Sequence, residues 1–327
     1  MMNEERPAAE RLLVEPDYDR EGFVDYAFAG RTYRLWYGII GRSGLAPALV
    51  LHGGPGGNHH NLVAFQGLAG ERPVIFYDQL GCGNSDRPAD PSLWRAERYF
   101  NEVRSVQDGL GLKKYHLIGH SWGTTLAVGF AARHPDGILS VSLHSPILSF
   151  PRYIERVAPA LKRALRGANG KAGRIIDDFE LRGRGEKSAY DEACLEFVRR
   201  NVTHTWPLPE AMRKLIAARN PAVHEVMVAG ESELNVLGNL RTVDVTANLS
   251  ELRVPVLVTC GSDDLCTPAF SRWQAGFAAD SRFYVIFGGA HMTPVDRPRE
   301  LLDMQEAFLR EVEGGSERPG QMENNDS

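Results

Sequence analysis

At 327 residues, with 43% hydrophobic and 24% charged side chains, the chain is long enough for one large domain or two smaller ones around a sizeable core. Its 37 Lys and Arg against 42 Asp and Glu leave a net charge of −5, which gives no electrostatic reason to bind nucleic acid or an anionic membrane. Residues 1–13 are charged and carry no apolar signal core, and no run is long enough for a membrane span, so a cytoplasmic location is expected. Cys82, Cys194, Cys260 and Cys266 show no C-x-x-C spacing; they read as reduced thiols, and neither a metal site nor a cofactor is implied.

Residues 1–16 read as a flexible lead-in. Two aromatic-rich runs, 23–28 and 32–40, flank Ala29-Gly30-Arg31 and predict an antiparallel hairpin. The short apolar run 48–51 ends in His52-Gly53-Gly54-Pro55-Gly56-Gly57. A buried strand running into a glycine-rich loop is how a doubly wound sheet delivers a site to its carboxyl edge. The loop has no lysine and no Gly-Lys-Ser/Thr ending, which argues against a phosphate cradle. It reads instead as half of an oxyanion hole, offering a backbone N–H from Gly53 or Gly54, with Gly54 the candidate donor and Gly53 facing substrate. His59 and His60 follow; adjacent histidines are expected to point to different sides and no acidic or cysteine partner lies nearby in sequence, so they read as a surface pair and not as metal ligands. Residues 74–77 form the next strand, and Cys82, between two glycines in the polar loop 78–85, reads as packing.

A helix over 99–112 and a strand over 115–118 lead into Gly119-His120-Ser121-Trp122-Gly123, after which 124–132 continues at helical spacing. Strand, Gly-x-Ser-x-Gly and helix in that order predict a sharp turn that lifts a serine hydroxyl clear of a sheet, with no room for a Cβ on either flank. The N–H of Trp122, at the helix start, is the candidate second oxyanion donor. After a strand at 138–143 the texture changes: from 150 to about 229 there are no strand-like runs, only helical segments at 153–165, 174–181, 188–200 and 210–218. The sheet resumes at 254–260, which stops at Gly261-Ser262-Asp263-Asp264-Leu265-Cys266-Thr267-Pro268, and at 283–287, which leads to Gly288-Gly289-Ala290-His291. A helix at 299–312 closes the fold. The expected organisation is a mostly parallel, doubly wound α/β sheet (17–148 and 241–312), a helical cap inserted after the sixth strand (149–240), and a disordered tail (313–327).

Ser121, an acid after one late strand and a histidine after the next give the chain order that sets the α/β-hydrolase triad apart from other serine triads. A hydroxyl at neutral pH is a weak nucleophile; a histidine takes its proton and an acid fixes the histidine's tautomer. His291 is the candidate base. Of the adjacent acids, Asp264, four residues before Pro268, is the candidate triad member, and Asp263 takes a neighbouring structural role.

HGGPGG, YDQLGCGNSD, GHSWGT, GSDDLCTP and GGAH together resemble the proline iminopeptidase family of serine peptidases on the α/β-hydrolase fold, from about residue 20 to 312. The resemblance implies a cytosolic exopeptidase that removes an N-terminal residue, often proline, or a relative that cleaves amino-acid amides, with a small molecule or short peptide as its partner. It also implies that Glu233, within Gly230-Glu231-Ser232-Glu233-Leu234, anchors the substrate's free amine as a buried carboxylate. The chain departs from the family at Leu265, where members commonly carry a second acid; an apolar residue there favours a more hydrophobic or neutral substrate. An esterase or lactonase is the competing reading. A non-catalytic binding protein would be expected to have lost a triad member or an oxyanion glycine, and this chain keeps all of them.

Overall fold

The computed structural model describes residues 8–42, 44–165 and 171–314. Eight strands form one sheet: β1 (Arg20–Phe28), β2 (Arg31–Ile40), β3 (Ala48–Leu51), β4 (Val74–Tyr77), β5 (Tyr115–His120), β6 (Ile138–His144), β7 (Val256–Gly261) and β8 (Ser281–Ile286). Their order is β1-β2-β4-β3-β5-β6-β7-β8. β1 and β2 pair as the expected hairpin, from Arg20↔Ile39 to Phe28↔Arg31, and β2 lies antiparallel to β4. All later pairs are parallel. Ala29 (φ 51°) and Gly30 (φ 75°) both have positive φ, the geometry that matches a two-residue turn to the twist of its strands. β3, β4, β5 and β7 are buried on both faces, which is why they read as short continuous apolar runs, whereas β1 alternates, with Val24 and Tyr26 buried and Asp25 exposed.

The order reverses at β3. From β3 the chain steps outward to β4, then crosses to β5 on the other side, so the loops leaving β3 and β5 diverge and open a crevice at the carboxyl edge. The glycine-rich loop and Ser121 both stand there.

Between β6 and β7 lie the helices Ala158–Ala164, Ala172–Arg182, Lys187–Phe197, Glu210–Ala217 and Pro221–Met227. The last has no counterpart in the periodicity reading, although its start signal is present: Pro221 sits in the first turn and the Asn220 side chain accepts from the Ala222 N–H. This helix is seated on the glycine-rich loop by the Asn220 N–H to Gly56 O bond (2.9 Å). One apolar cluster runs from Leu49 and Leu117 through Trp122 to Tyr153, Phe197 and Met227, so these helices share the core of the sheet. Among the described residues, no helix is long and apolar enough to cross a membrane.

Both ends of the chain differ from expectation. Residues 8–16 are docked: Leu13 is buried against Ala64, Met212 and Val295, and Gln66 Nε2 donates to the carbonyls of Leu12 (3.1 Å) and Val14 (2.8 Å). The expected tail is anchored at its first residue, because Arg72 is almost wholly buried and needs a carboxylate, which Glu313 supplies through two hydrogen bonds of 2.8 and 2.9 Å. Residues 1–7 of the lead-in and 315–327 of the tail lie outside the described residues.

Candidate active site

Ser121 has φ 55° and ψ −125°, a positive φ rare for a residue with a side chain, between β5 and the helix Trp122–Ala131. The flanking glycines are required sterically. A Cβ on Gly119 would overlap the carbonyl of Gly123, and one on Gly123 would overlap the carbonyl oxygen of Leu51. The strained turn is pinned by the Ser121 N–H to His144 O (3.0 Å) and by the Thr124 hydroxyl donating to Ser121 O (2.6 Å).

The structure brings Ser121, Asp264 and His291 together. Ser121 Oγ lies 2.9 Å from His291 Nε2, and His291 Nδ1 lies 2.8 Å from Asp264 Oδ1. With the proton on Nδ1, the ring donates to Asp264 and its Nε2 accepts from the serine hydroxyl. Asp264 is buried and also accepts from the amides of Cys266 (2.7 Å) and Gly261 (3.3 Å). Burial pushes its pKa up, but the charge and hydrogen bond of His291, together with the Ser145 hydroxyl and the Cys266 amide, outweigh this and hold it below the ordinary aspartate value. Asp263 points the other way: it is exposed and its carboxylate accepts from its neighbour Ser262.

Two residues that position this site carried no sequence signal. Asn201 reaches over from the helical region, where its carbonyl accepts from the amides of both Leu265 and His291 (3.1 Å each) and its side chain donates to Asp263 O (3.0 Å). Ser145, at φ 53° after β6, donates its hydroxyl to His291 O (2.9 Å), as does His120 Nε2 (2.9 Å). The loops bearing the acid and the base are thereby tied to each other and to the sheet.

The glycine-rich loop closes against the serine. A Cβ on Gly53 would stand 3.0 Å from Ser121 Cβ, and Gly54, at φ 130°, has the amides of Gly56 and Gly57 where a Cβ would be. A buried network holds this loop: His52 Nδ1 donates to Gly53 O (2.8 Å), the Gln79 N–H donates to His52 Nε2 (3.1 Å), Gln79 Nε2 donates to His52 O (2.7 Å), and the Trp122 indole donates to Gln79 Oε1 (3.0 Å). Burial lowers His52 to about 4, which keeps it in the neutral form this network needs. The Trp122 side chain is fully buried, and its amide stands in the first turn of the helix, where N–H groups have no intrahelical acceptor.

A cavity of about 140 Å³ opens over Ser121 and His291, lined by Gly53, Gly54 and Pro55 on one side and by Leu265, Met292 and Glu233 among others. Leu265 is buried and gives the wall an apolar face. Glu233 lines the cavity but is exposed, which corrects the expectation of a buried carboxylate. The cause is its loop: Glu180 accepts from the Ser232 amide (2.9 Å) and the Asn235 side chain (2.9 Å), which buries Ser232, Leu234 and Asn235 and leaves Glu233 exposed at the cavity wall. Its carboxylate forms no hydrogen bond or ion pair with another described residue.

His59 and His60 do not form a surface pair. Both are buried, their rings stack 4.2 Å apart, and acidic partners arrive from distant segments. Asp78 Oδ1 accepts from His59 Nδ1 (2.9 Å), and the Glu15 carboxylate lies 3.5 Å from His59 Nε2 and 3.4 Å from His60 Nε2. Burial pushes His59 down, but Asp78 and Glu15 more than offset it, raising it to about 9. Glu15, His59 and His60 bring possible metal donors within 4.8 Å of one another, and the Glu15 carboxylate among them pairs with Lys214. The cluster latches the N-terminal segment to the loop. Cys82 is fully buried, in line with packing.

The sequence matches the α/β hydrolase fold family over residues 47–298. It is 36% identical over 293 residues to a proline iminopeptidase of Heyndrickxia coagulans, covering 89% of this chain and 99% of that protein. It is 34% identical over 285 residues to one of Lactobacillus helveticus, covering 85% and 94%. Among solved structures, VinJ superposes with a TM-score of 0.82 at 28% identity (90% and 100% covered), and the proline iminopeptidase of Mycobacterium smegmatis with 0.81 at 29% (91% and 100%). The chain belongs to the proline iminopeptidase family, on the α/β-hydrolase fold.

Proposed function

We propose that the protein is a serine aminopeptidase that releases the N-terminal residue of a short peptide or aminoacyl amide through an acyl-enzyme on Ser121. The observation that carries this reading is His291 bonded at once to Ser121 Oγ (2.9 Å) and Asp264 Oδ1 (2.8 Å) beneath a cavity whose wall bears Glu233, a carboxylate with no partner among the described residues. Ser121 Oγ attacks the scissile carbonyl while His291 Nε2 takes its proton; His291 then gives that proton to the leaving amine, and water resolves the acyl-enzyme by the same route. Asp264 stabilises the imidazolium. The amides of Gly54 and Trp122 hold the oxyanion, and Gly53, lacking a Cβ, lets the acyl group approach. Glu233 pairs with the substrate's ammonium.

The core (17–148 and 241–312) carries the triad, and the cap (149–240) supplies Glu233 and excludes water. Leu265 and Met292 favour an apolar N-terminal residue. The four cysteines are free thiols, which accords with a cytoplasmic enzyme.

The test pairs proline p-nitroanilide and its N-acetylated form with a p-nitrophenyl acyl ester. Turnover of the free-amine amide and not of the acetylated one is expected; an inert amide alongside a good ester would establish the esterase reading instead. A fluorophosphonate probe should label the wild type and not Ser121→Ala, and equal labelling of both would remove Ser121 from the mechanism.

A further inference from the structure

We infer that His224 is a second contact for the substrate's amino group, its imidazole accepting one N–H while Glu233 meets the charge. This rests on the aminopeptidase reading. His224 lies on the helix Pro221–Met227, is 8% exposed, and lines the same cavity as Ser121, Glu233 and Leu265. Its ring forms no hydrogen bond with any described residue. Every other buried histidine among them, namely His52, His59, His60, His116, His120, His144 and His291, has at least one ring partner. Its ring nitrogens stay open to solvent, and a ring without a protein partner on the wall of a catalytic cavity is free to bond what enters.

The ring is also held in place. The Asn220 amide donates to Gly56 O (2.9 Å) and its side chain to Gly81 O (2.7 Å), which fixes the start of this short helix on the loop carrying Gly54. The charged groups that face His224 are Arg219 and Glu233, both on the cavity wall. Burial and then Arg219 lower its pKa, Glu233 opposes them, and the result is about 4, so at neutral pH the ring has a free lone pair and no charge. Such a group accepts from an ammonium without repelling it. The carboxylate beside it disfavours an anionic group at the same place, and Leu265 offers no polar atom from its side of the cavity. An ammonium between Glu233 and His224 satisfies both.

The experiment measures kcat and KM of the full-length wild type, His224→Leu, His224→Gln and Glu233→Gln on proline p-nitroanilide and on p-nitrophenyl acetate, which has no amine, with thermal melts to establish folding. His224→Leu should lower the ratio of kcat/KM between the free-amine amide and the ester by about ten- to a hundredfold, mainly through KM, the size of a hydrogen bond to a charged group. His224→Gln, which keeps an acceptor, should recover most of it. A parallel fall on both substrates would assign His224 to packing and overturn the inference, as would no fall at all. Should Glu233→Gln lower the ratio and His224→Leu leave it unmoved, the aminopeptidase reading stands and the role of His224 falls. A wild type indifferent to the free amine would refute both.

Discussion

Gly123→Ala isolates the steric logic of the serine turn. The added methyl carbon would overlap Leu51 O and stand 2.8 Å from the Leu51 carbonyl carbon and 3.0 Å from His52 O. Comfortable separations are near 3.5–4.0 Å, so the two segments must part by roughly 1 Å. Neither can yield easily, because Leu51 pairs with Tyr77 on one side and Gly119 on the other, in the middle of the sheet. Inserting one methylene into a tight core costs about 1–3 kcal/mol, and backbone against backbone stands at the upper end, so a loss of about 3 kcal/mol is expected in urea unfolding. The same displacement moves Gly53 and Gly54 away from Ser121, and a misplacement of about 1 Å costs on the order of a hundredfold in kcat. Gly70→Ala is the matched control: nothing lies within 4 Å of its Cβ position, and its stability should stay within about 0.5 kcal/mol of wild type. If Gly123→Ala kept the wild-type unfolding midpoint and kcat, the claim that this glycine is demanded by the approach of β3 would be wrong.

Acid should destabilise the fold before the carboxylates titrate. Burial lowers His52 and His144 to about 4 and His120 to about 3, from an ordinary 6.5. Below 6.5 the unfolded chain takes up protons that the folded chain refuses, so stability falls as pH drops from 6.5 towards 4, by on the order of 3 kcal/mol for each of the three histidines. His59, raised to about 9, works in the opposite sense: its contribution is complete below 6.5 and is lost as pH rises through 9. Urea midpoints measured across this range check both limbs, and a flat profile between 6.5 and 4 would contradict the neutral buried histidines. Asn201→Ala removes the donor to Asp263 O (3.0 Å) while leaving the backbone carbonyl in place. It should cost about 1 kcal/mol of stability and lower kcat several-fold with KM little changed; an unaltered kcat would show that the triad loops hold their geometry without it.

The sequence by itself determined the elements whose information is local. Continuous apolar runs specify β3, β4, β5 and β7 because strands covered on both faces need nothing else, and the order of serine, acid and histidine follows from which strands precede them. Two glycines around Ser121 announce the turn because only glycine fits where Leu51 and Gly123 carbonyls intrude. Only the tertiary structure decided what depends on residues distant in the chain. It turns Asp264 inward to His291 and Asp263 outward, a choice that adjacent identical residues cannot encode locally. It seats the N-terminal segment on His59 and His60 through Glu15, gives the buried Arg72 its partner in Glu313, and leaves Glu233 exposed because Glu180 holds the loop around it. The physical reason is the same in each case: charge state and burial are properties of a neighbourhood, and a neighbourhood exists only once the sheet has brought its members together.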